Sequence, residues 1–284
     1  MRLTRLLSVL TSVVAVTALA ACGSDTDGAA DATSTASGTA ALDTLTAGKL
    51  TIATGEPAYS PWVEDDKPES GKGFEAAVAY AVADKLGFAH DDVVWVRTTF
   101  DAAIAPGPKD FDFNLQQFTI SADRKKAVDF SSPYYTTATA IVSIKGNTGA
   151  DATDLAGLKD ATIGGAVGTT SITLAESEID PSHDVQTYNS VEDSVAALKA
   201  GQVDAIAVDL PTALYLANAE LDDGVVVGQL QGSDGGDEFG LLLAKDSPLT
   251  SPVTEAVDAL REDGTLDELA TTWLTDAAGA PVLQ

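Results

Sequence analysis

Arg124 stands in the run Asp123–Arg124–Lys125–Lys126. A guanidinium presents a rigid fork of N–H donors that matches a carboxylate, and a cleft strengthens such a pair. The alternative is a surface arginine, a role its two lysine neighbours already fill. Residues 164–170, Gly-Gly-Ala-Val-Gly-Thr-Thr, form a Gly-rich loop ending at Thr170, just ahead of a helical pattern. Exposed N–H groups and the helix dipole favour an anion there, although a plain strand-to-helix turn has the same composition. Asp209 ends the largely apolar run 203–208. An unpaired carboxylate at that position would be costly, so it requires either a cationic ligand group or a structural partner such as a helix N-terminus at Thr212. Tyr59, Trp62 and Phe100 follow the first two strand patterns. They could wall the aliphatic part of a ligand or be buried as core.

Other chemistries find less support. His90 and His183 lie in polar segments suited to solvated side chains, and no Ser-His-acid order, H-x-x-x-H spacing or phosphate-binding P-loop occurs. The one cysteine, Cys22, excludes an intrachain disulfide and removes Cys-rich zinc sites and a cysteine nucleophile from the folded body. No metal or cofactor is expected. Lys and Arg number 16 against 43 Asp and Glu, a net charge of -27, which argues against nucleic acid as a partner and against attraction of the body to anionic lipid.

These residues must be held by sheets. From Lys49 onward, short β-rich runs alternate with amphipathic helical patterns: a strand over 50–54, and a helix carrying Phe74, Ala77, Val78, Ala81, Val82 and Leu86 with Gly87 at its C-cap. Further strands are expected over 93–96, 111–115, 138–144, 161–164, 185–188, 203–208 and 239–244. Ser121 opens a short polar helix, and Ser190 caps one carrying Val195 and Leu198. Two helices close the chain, the first with Pro252 at N1 and the second with a Thr265–Glu268 capping box. The alternation runs twice, over roughly 48–138 and 145–232, and predicts an α/β fold in which a ligand sits between two units at the carboxyl ends of strands.

The N-terminus reads as a targeting segment. Arg2 and Arg5 precede an uncharged, mostly apolar stretch over 6–21, shorter than a bilayer span and typical of a signal peptide over 1–21. The end of that stretch, Leu-Ala-Ala-Cys-Gly over 19–23, resembles a bacterial lipobox, which makes Cys22 the expected lipid attachment point. Residues 22–47, rich in Ser, Thr, Ala, Gly and Asp, are expected to tether the body to the outer face of the cell membrane.

The body resembles the bacterial extracellular solute-binding proteins of family 3, the polar amino-acid receptors of ABC importers. The resemblance rests on Tyr59–Ser60–Pro61–Trp62, on Gly73–Phe74–Glu75, and on Thr119–Ile120–Ser121–Ala122–Asp123–Arg124 followed by Val128–Asp129–Phe130–Ser131–Ser132–Pro133–Tyr134. The Gly–Thr–Thr loop and Asp209 after Gly201–Gln202–Val203–Asp204–Ala205 complete it. It implies a two-lobe type 2 periplasmic-binding fold with two hinge strands, near 138–144 and 235–241, closing on a cleft. Lobe 1 is expected over 48–138 plus 236–284 and lobe 2 over 139–235. The resemblance further implies that Arg124 grips the ligand's α-carboxylate with Thr170, Thr119 and the backbone around Gln117, and that Asp209 takes the α-ammonium. Glu56 matches an acid kept by several receptors for basic amino acids, while Asn114, Gln116 and Gln117 also suit a neutral polar side chain, and an acidic ligand would have to recruit Arg97. The implied function is a monomeric, non-enzymatic receptor that captures a polar or basic amino acid and passes it to a permease. The alternatives are a sensing receptor and a dehydratase-type enzyme on the same fold.

Overall fold

Two five-stranded sheets organise this computed structural model, which describes residues 42–232, 236–274 and 280–284. In chain order the elements are β1 (Leu50–Thr54), α1 (Phe74–Lys85), β2 (Val93–Arg97), α2 (Phe100–Ile104), β3 (Phe113–Asn114), β4 (Val128–Thr137), β5 (Thr139–Ile144), β6 (Ile163–Ala166) and α3 (Thr170–Ile179). They continue as β7 (Gln186–Tyr188), α4 (Val191–Lys199), β8 (Ala205–Asp209), α5 (Leu210–Tyr215), β9 (Gly224–Gln229), β10 (Asp237–Ala244), α6 (Thr250–Glu262) and α7 (Thr265–Trp273).

The first sheet has the order β2-β1-β3-β10-β4 and the second β7-β6-β8-β5-β9. In each, one half is parallel (β1 with β2 and β3; β6 with β7 and β8) and the other is joined antiparallel through β10 or β5. Parallel strands are covered on both faces, which explains why all five residues of β1 are buried. On one face of the first sheet, Phe74, Val78 and Val82 of α1 pack with Val253, Val257 and Leu260 of α6 and Leu266 of α7. Phe111, Phe118 and Phe130 fill the other face. In the second sheet, Val195 and Leu198 of α4 cover one side and Ala175 and Ile179 of α3 the other.

The chain crosses between the sheets at Ala138, with β4 ending at Thr137 and β5 starting at Thr139. Residues 139–144, expected within a hinge, instead form an interior strand of the second sheet, paired with both β8 and β9. The return crossing lies between Gln229 and Asp237, partly outside the described residues, and residues 237–241 belong to β10 beside β4.

Several local expectations need correction. Segment 1–41, on which the expected signal peptide, Cys22 and most of the expected tether fall, lies outside the described residues. Residues 42–47, expected in the tether, belong to the body: Leu42 packs on the first core, and Asp112 accepts the Leu45 N–H (2.8 Å) as well as that of Thr51 (2.7 Å). Residues 280–284, expected with the first lobe, return to the second sheet. Val282 bridges Gln229, the Leu283 N–H bonds the Gln229 carbonyl (2.9 Å), and Leu283 is buried. Pro252 is the third residue of α6, not its first, and α7 begins after Gly264 without a side-chain cap, its Thr265 hydroxyl donating to Asp263 (2.6 Å). Among the described residues no helix is long and apolar enough to cross a membrane.

Candidate functional site

The carboxyl ends of β1, β3, β6, β7 and β8 face one cavity between the two sheets. Eight of the nine sequence-selected site residues line it: Glu56, Tyr59, Phe100, Gln117, Thr119, Arg124, Thr170 and Asp209. The ninth, Trp62, does not. It is fully buried in the first core, edge-on to Phe74 (5.9 Å) and Phe239 (5.9 Å), and its indole N–H donates to the Thr212 hydroxyl of α5 (2.8 Å). A large ring with one donor is best accommodated by this combination of apolar packing and a single acceptor. Trp62 therefore ties the lobes together behind the cavity and does not wall it.

Arg124 is placed by the short turn that Ser121 opens, where the Ser121 hydroxyl accepts the Arg124 N–H (3.2 Å). Its guanidinium lies over the Phe100 ring (5.2 Å) and donates to the Thr119 carbonyl (2.7 Å) and, across the cleft, to the Gly168 carbonyl (2.9 Å). Burial works against its charge, while Asp237 supports it. Gly168 is suited to this close approach: its φ is +77°, and a Cβ would come within 2.6 Å of an Asp101 oxygen. Thr170, the first residue of α3, sets its hydroxyl 3.0 Å from that of Thr119, so the two lobes meet again beside the guanidinium.

Asp209 satisfies the structural alternative and still faces the cavity. It caps α5, accepting the Thr212 N–H (2.9 Å) and hydroxyl (2.9 Å), yet it lines the cavity. Burial pushes its carboxyl up to about 6, with Asp237 adding to the rise and the Thr212 bonds opposing it. Asp237, which the sequence reading did not select, opens β10 opposite Thr137, while Asp209 lies opposite Thr139. The two carboxylates thus flank the crossing between the sheets. Asp237 receives weak hydroxyl contacts from Thr139 (3.4 Å) and Thr170 (3.5 Å), and burial raises its pKa.

Gln117 adopts a left-handed backbone (φ 51°), unusual for a residue with a side chain. Glu75, in the first turn of α1, holds this turn. It accepts the Gln117 N–H (2.8 Å), the Gln117 side-chain amide and the Tyr134 hydroxyl, while Tyr59 donates to the Gln117 side-chain oxygen (2.9 Å). Burial lifts the Glu75 carboxyl to about 7. Glu75 was visible in Gly73–Phe74–Glu75, but only the fold reveals that it points inward beneath the cavity floor. Tyr59 is raised well above its ordinary value by burial, with Asp209, Glu192 and Glu75 all adding to the effect.

The remaining candidates separate clearly. Glu56 lines the rim but is exposed, and Gln116 lines the cavity. Asn114 is buried in β3 away from the cavity. Arg97 is committed to Asp66 (2.5 Å) and the Gly55 carbonyl (2.9 Å), so it is not free to meet an acidic ligand. His90 stacks on Tyr80 (3.4 Å between centroids, 9°) far from this chemistry, and His183 is exposed. Glu192, in the first turn of α4, lines the cavity and was also missed by the sequence reading. Four carboxylates (Glu56, Glu192, Asp209 and Asp237) therefore line the space with a single cation, Arg124. Among the described residues no group of three or more His, Cys, Asp or Glu side chains is placed to hold a metal ion.

Known proteins share this architecture. The family described as bacterial extracellular solute-binding proteins, family 3, matches residues 50–276. The L-cystine-binding protein TcyJ of Escherichia coli K12 is 31% identical over 222 residues, covering 77% of this chain and 80% of that protein. The arginine-binding extracellular protein ArtP of Bacillus subtilis is 28% identical over 263 residues, covering 91% and 93%. A solved structure of an ancestral arginine-binding protein bound to glutamine superposes with a TM-score of 0.68 at 29% identity, covering 80% of this chain and 98% of that one.

Proposed function

The chain belongs to the bacterial extracellular solute-binding proteins of family 3, and from that premise we propose that it captures one amino acid between its lobes for delivery to the permease of an ABC importer. The observation that carries this reading is the single guanidinium facing carboxylates across one cavity, with donors and acceptors contributed by both lobes. In the proposed complex the α-carboxylate lies on Arg124 beside the Thr119 and Thr170 hydroxyls. The α-ammonium lies at Asp209, with Asp237 nearby, and Tyr59 and Phe100 cover the aliphatic carbons. A fork-shaped donor and a carboxylate, set apart in a partly desolvated space, match the two charged ends of a zwitterion. Relatives that carry the names of cystine- and arginine-binding proteins support an amino acid as the ligand.

The mechanism is closure. The Arg124–Gly168, Thr119–Thr170 and Trp62–Thr212 bonds all run between lobes, so they form together when the lobes meet and are lost together when they part. A ligand that touches both sides adds its own bonds to that set and shifts the equilibrium toward the closed form. We read the chain as a binder and not an enzyme, a reading supported by relatives that carry the names of binding proteins. We further read it as a monomer anchored at the outer face of the membrane through a lipid on Cys22, with residues 23–41 as tether.

The test is a thermal-shift screen of the purified protein against the twenty amino acids, ornithine and small organic cations, followed by calorimetry on the hits. An amino acid should raise the melting temperature and bind one to one. Stabilisation by a sugar or metal alone, with no amino acid active, would overturn the reading.

A further inference from the structure

The proposed zwitterion accounts for Arg124 and Asp209 but leaves one carboxylate without a counterpart. Both oxygens of Glu192 are inaccessible to solvent and have no hydrogen-bond partner. A carboxylate withdrawn from water and left unpaired is among the costliest arrangements a protein can hold, unless a ligand completes it. The helix dipole favours an acid in the first turn, but by less than it costs to withdraw both oxygens of a carboxylate from water. Asp193, the next residue of α4, fits that description, because it is exposed and its N–H is capped by the Ser190 hydroxyl (3.1 Å). Glu192 instead turns toward the cavity it shares with Tyr59 and Asn189.

The charges around it do not supply a partner. Lys199, two turns further along α4, is paired with Glu220. Arg97 is held by Asp66, and Arg124 by the Thr119 and Gly168 carbonyls at the guanidinium end. Burial raises the Glu192 pKa; Ser190 and its own backbone N–H lie near enough to oppose that rise in part, though outside hydrogen-bond geometry, and the charged groups that act on it, Asp193 and Asp66, are both negative. Glu56, the acid expected from sequence to meet a cationic side chain, is exposed at the rim. The cavity therefore has a surplus of negative charge, and Glu192 adds to it from α4 of the second lobe.

We infer that Glu192 is the specificity-determining residue of this site, accepting a distal ammonium or guanidinium on the ligand's side chain. The inference rests on the amino-acid reading above and adds to it a ligand class, an α-amino acid with a cationic side chain, and the residue that selects it. Glu192 acts as a hydrogen-bonding counterion, not as a catalytic group, and no covalent step is involved.

The test is calorimetric titration of the intact protein with L-arginine, L-lysine, L-citrulline and L-glutamine, repeated on Glu192→Gln, Glu56→Gln and Arg124→Ala. Citrulline keeps the shape of arginine and lacks its charge. The wild type should bind arginine or lysine roughly 30-fold or more tighter than citrulline or glutamine, the scale on which a buried counterion is lost. Glu192→Gln should close that gap to about threefold while leaving glutamine affinity within about threefold, and Glu56→Gln should keep the gap. The arginine-to-citrulline ratio is read on one protein sample, so a partly unfolded variant does not mimic the result. A gap that persists in Glu192→Gln, or a wild type that binds citrulline as tightly as arginine, overturns the inference. If a neutral amino acid is the ligand and Arg124→Ala abolishes its binding, the amino-acid reading stands and the role of Glu192 falls. If no amino acid binds the wild type, both fall.

Discussion

The two ends of the cavity differ in how their charges are balanced. At one end the Arg124 guanidinium already has two carbonyl acceptors, an aromatic face beneath it and Asp237 near enough to support its charge. At the other, Asp209, Glu192 and Glu75 all act on the Tyr59 hydroxyl, and no cation is paired with them among the described residues. The first end is prepared in advance, with its charge held in place by backbone. The second is short of positive charge: Asp209 and Glu75 have hydrogen-bond donors but no cation, and burial lifts their carboxyls to about 6 and about 7. A pre-organised anion site opposite an unsatisfied cation site gives a ligand one favoured orientation.

The comparison can be broken most severely at its charged ends. Arg124→Ala and Asp209→Asn should each weaken amino-acid binding by roughly 30-fold or more, because each leaves an opposite charge of the ligand unpaired in a desolvated space. Asparagine still caps a helix, so Asp209→Asn should leave the unliganded melting temperature nearly unchanged. A variant that binds normally by calorimetry would remove that end from the account.

Acidity should sharpen the contrast by a smaller factor. With a folded pKa of about 6, raised above the ordinary 3.8, Asp209 contributes to folding stability when protonated; that contribution is complete below about pH 4 and lost as pH rises through about 6. An ammonium ligand prefers the ionised form, so protons leave on binding and affinity should rise about tenfold between pH 5 and pH 7. The rise should disappear in Asp209→Asn. Calorimetry in buffers of different ionisation enthalpy checks the proton release, and a flat or falling profile would contradict it.

Away from the ends the effects should shrink. Trp62→Phe removes one interlobe hydrogen bond worth about 1 kcal/mol and should weaken ligand binding by about fivefold. Glu56→Gln alters an exposed rim charge and should change affinity by less than about threefold. If Glu56→Gln proves as damaging as Asp209→Asn, the distinction drawn here between rim and interior is wrong.

Much of this architecture was legible because its signals are local. The alternation of β-rich and helical runs marked both sheets, and Gly87 and Ser190 cap α1 and α4 as their sequence positions suggest: Gly87 follows α1 at φ +86°, and Ser190 accepts an N–H of α4. Arg124, Thr170 and Asp209 stood out because the segments around them resemble the family's motifs, and Asp209 also because it ends a largely apolar run. Trp62 was misplaced because an aromatic beside a loop reads equally as wall or core, and only the Thr212 hydroxyl 150 residues away decides which. Asp237 and Glu192 were missed for the opposite reason. In a chain with 43 acidic residues, a carboxylate carries no signal of its own until the fold shows which ones have lost their water. Residues 42–47 and 280–284 were assigned by composition and by chain order, and both were drawn elsewhere by single buried partners, Asp112 and the Leu283 site on β9.

The most direct measurement compares the ligand with its two singly blocked forms. An amino acid that stabilises the protein would be titrated calorimetrically beside its α-amide and its N-acetyl derivative. If Arg124 and Asp209 hold opposite ends of one zwitterion, both blocked forms should bind roughly 30-fold or more weakly than the parent, the amide failing at Arg124 and the acetyl form at Asp209. Should either blocked form bind within about threefold of the parent, the molecule would not be held by both ends, and the two-ended account of the cavity would be wrong.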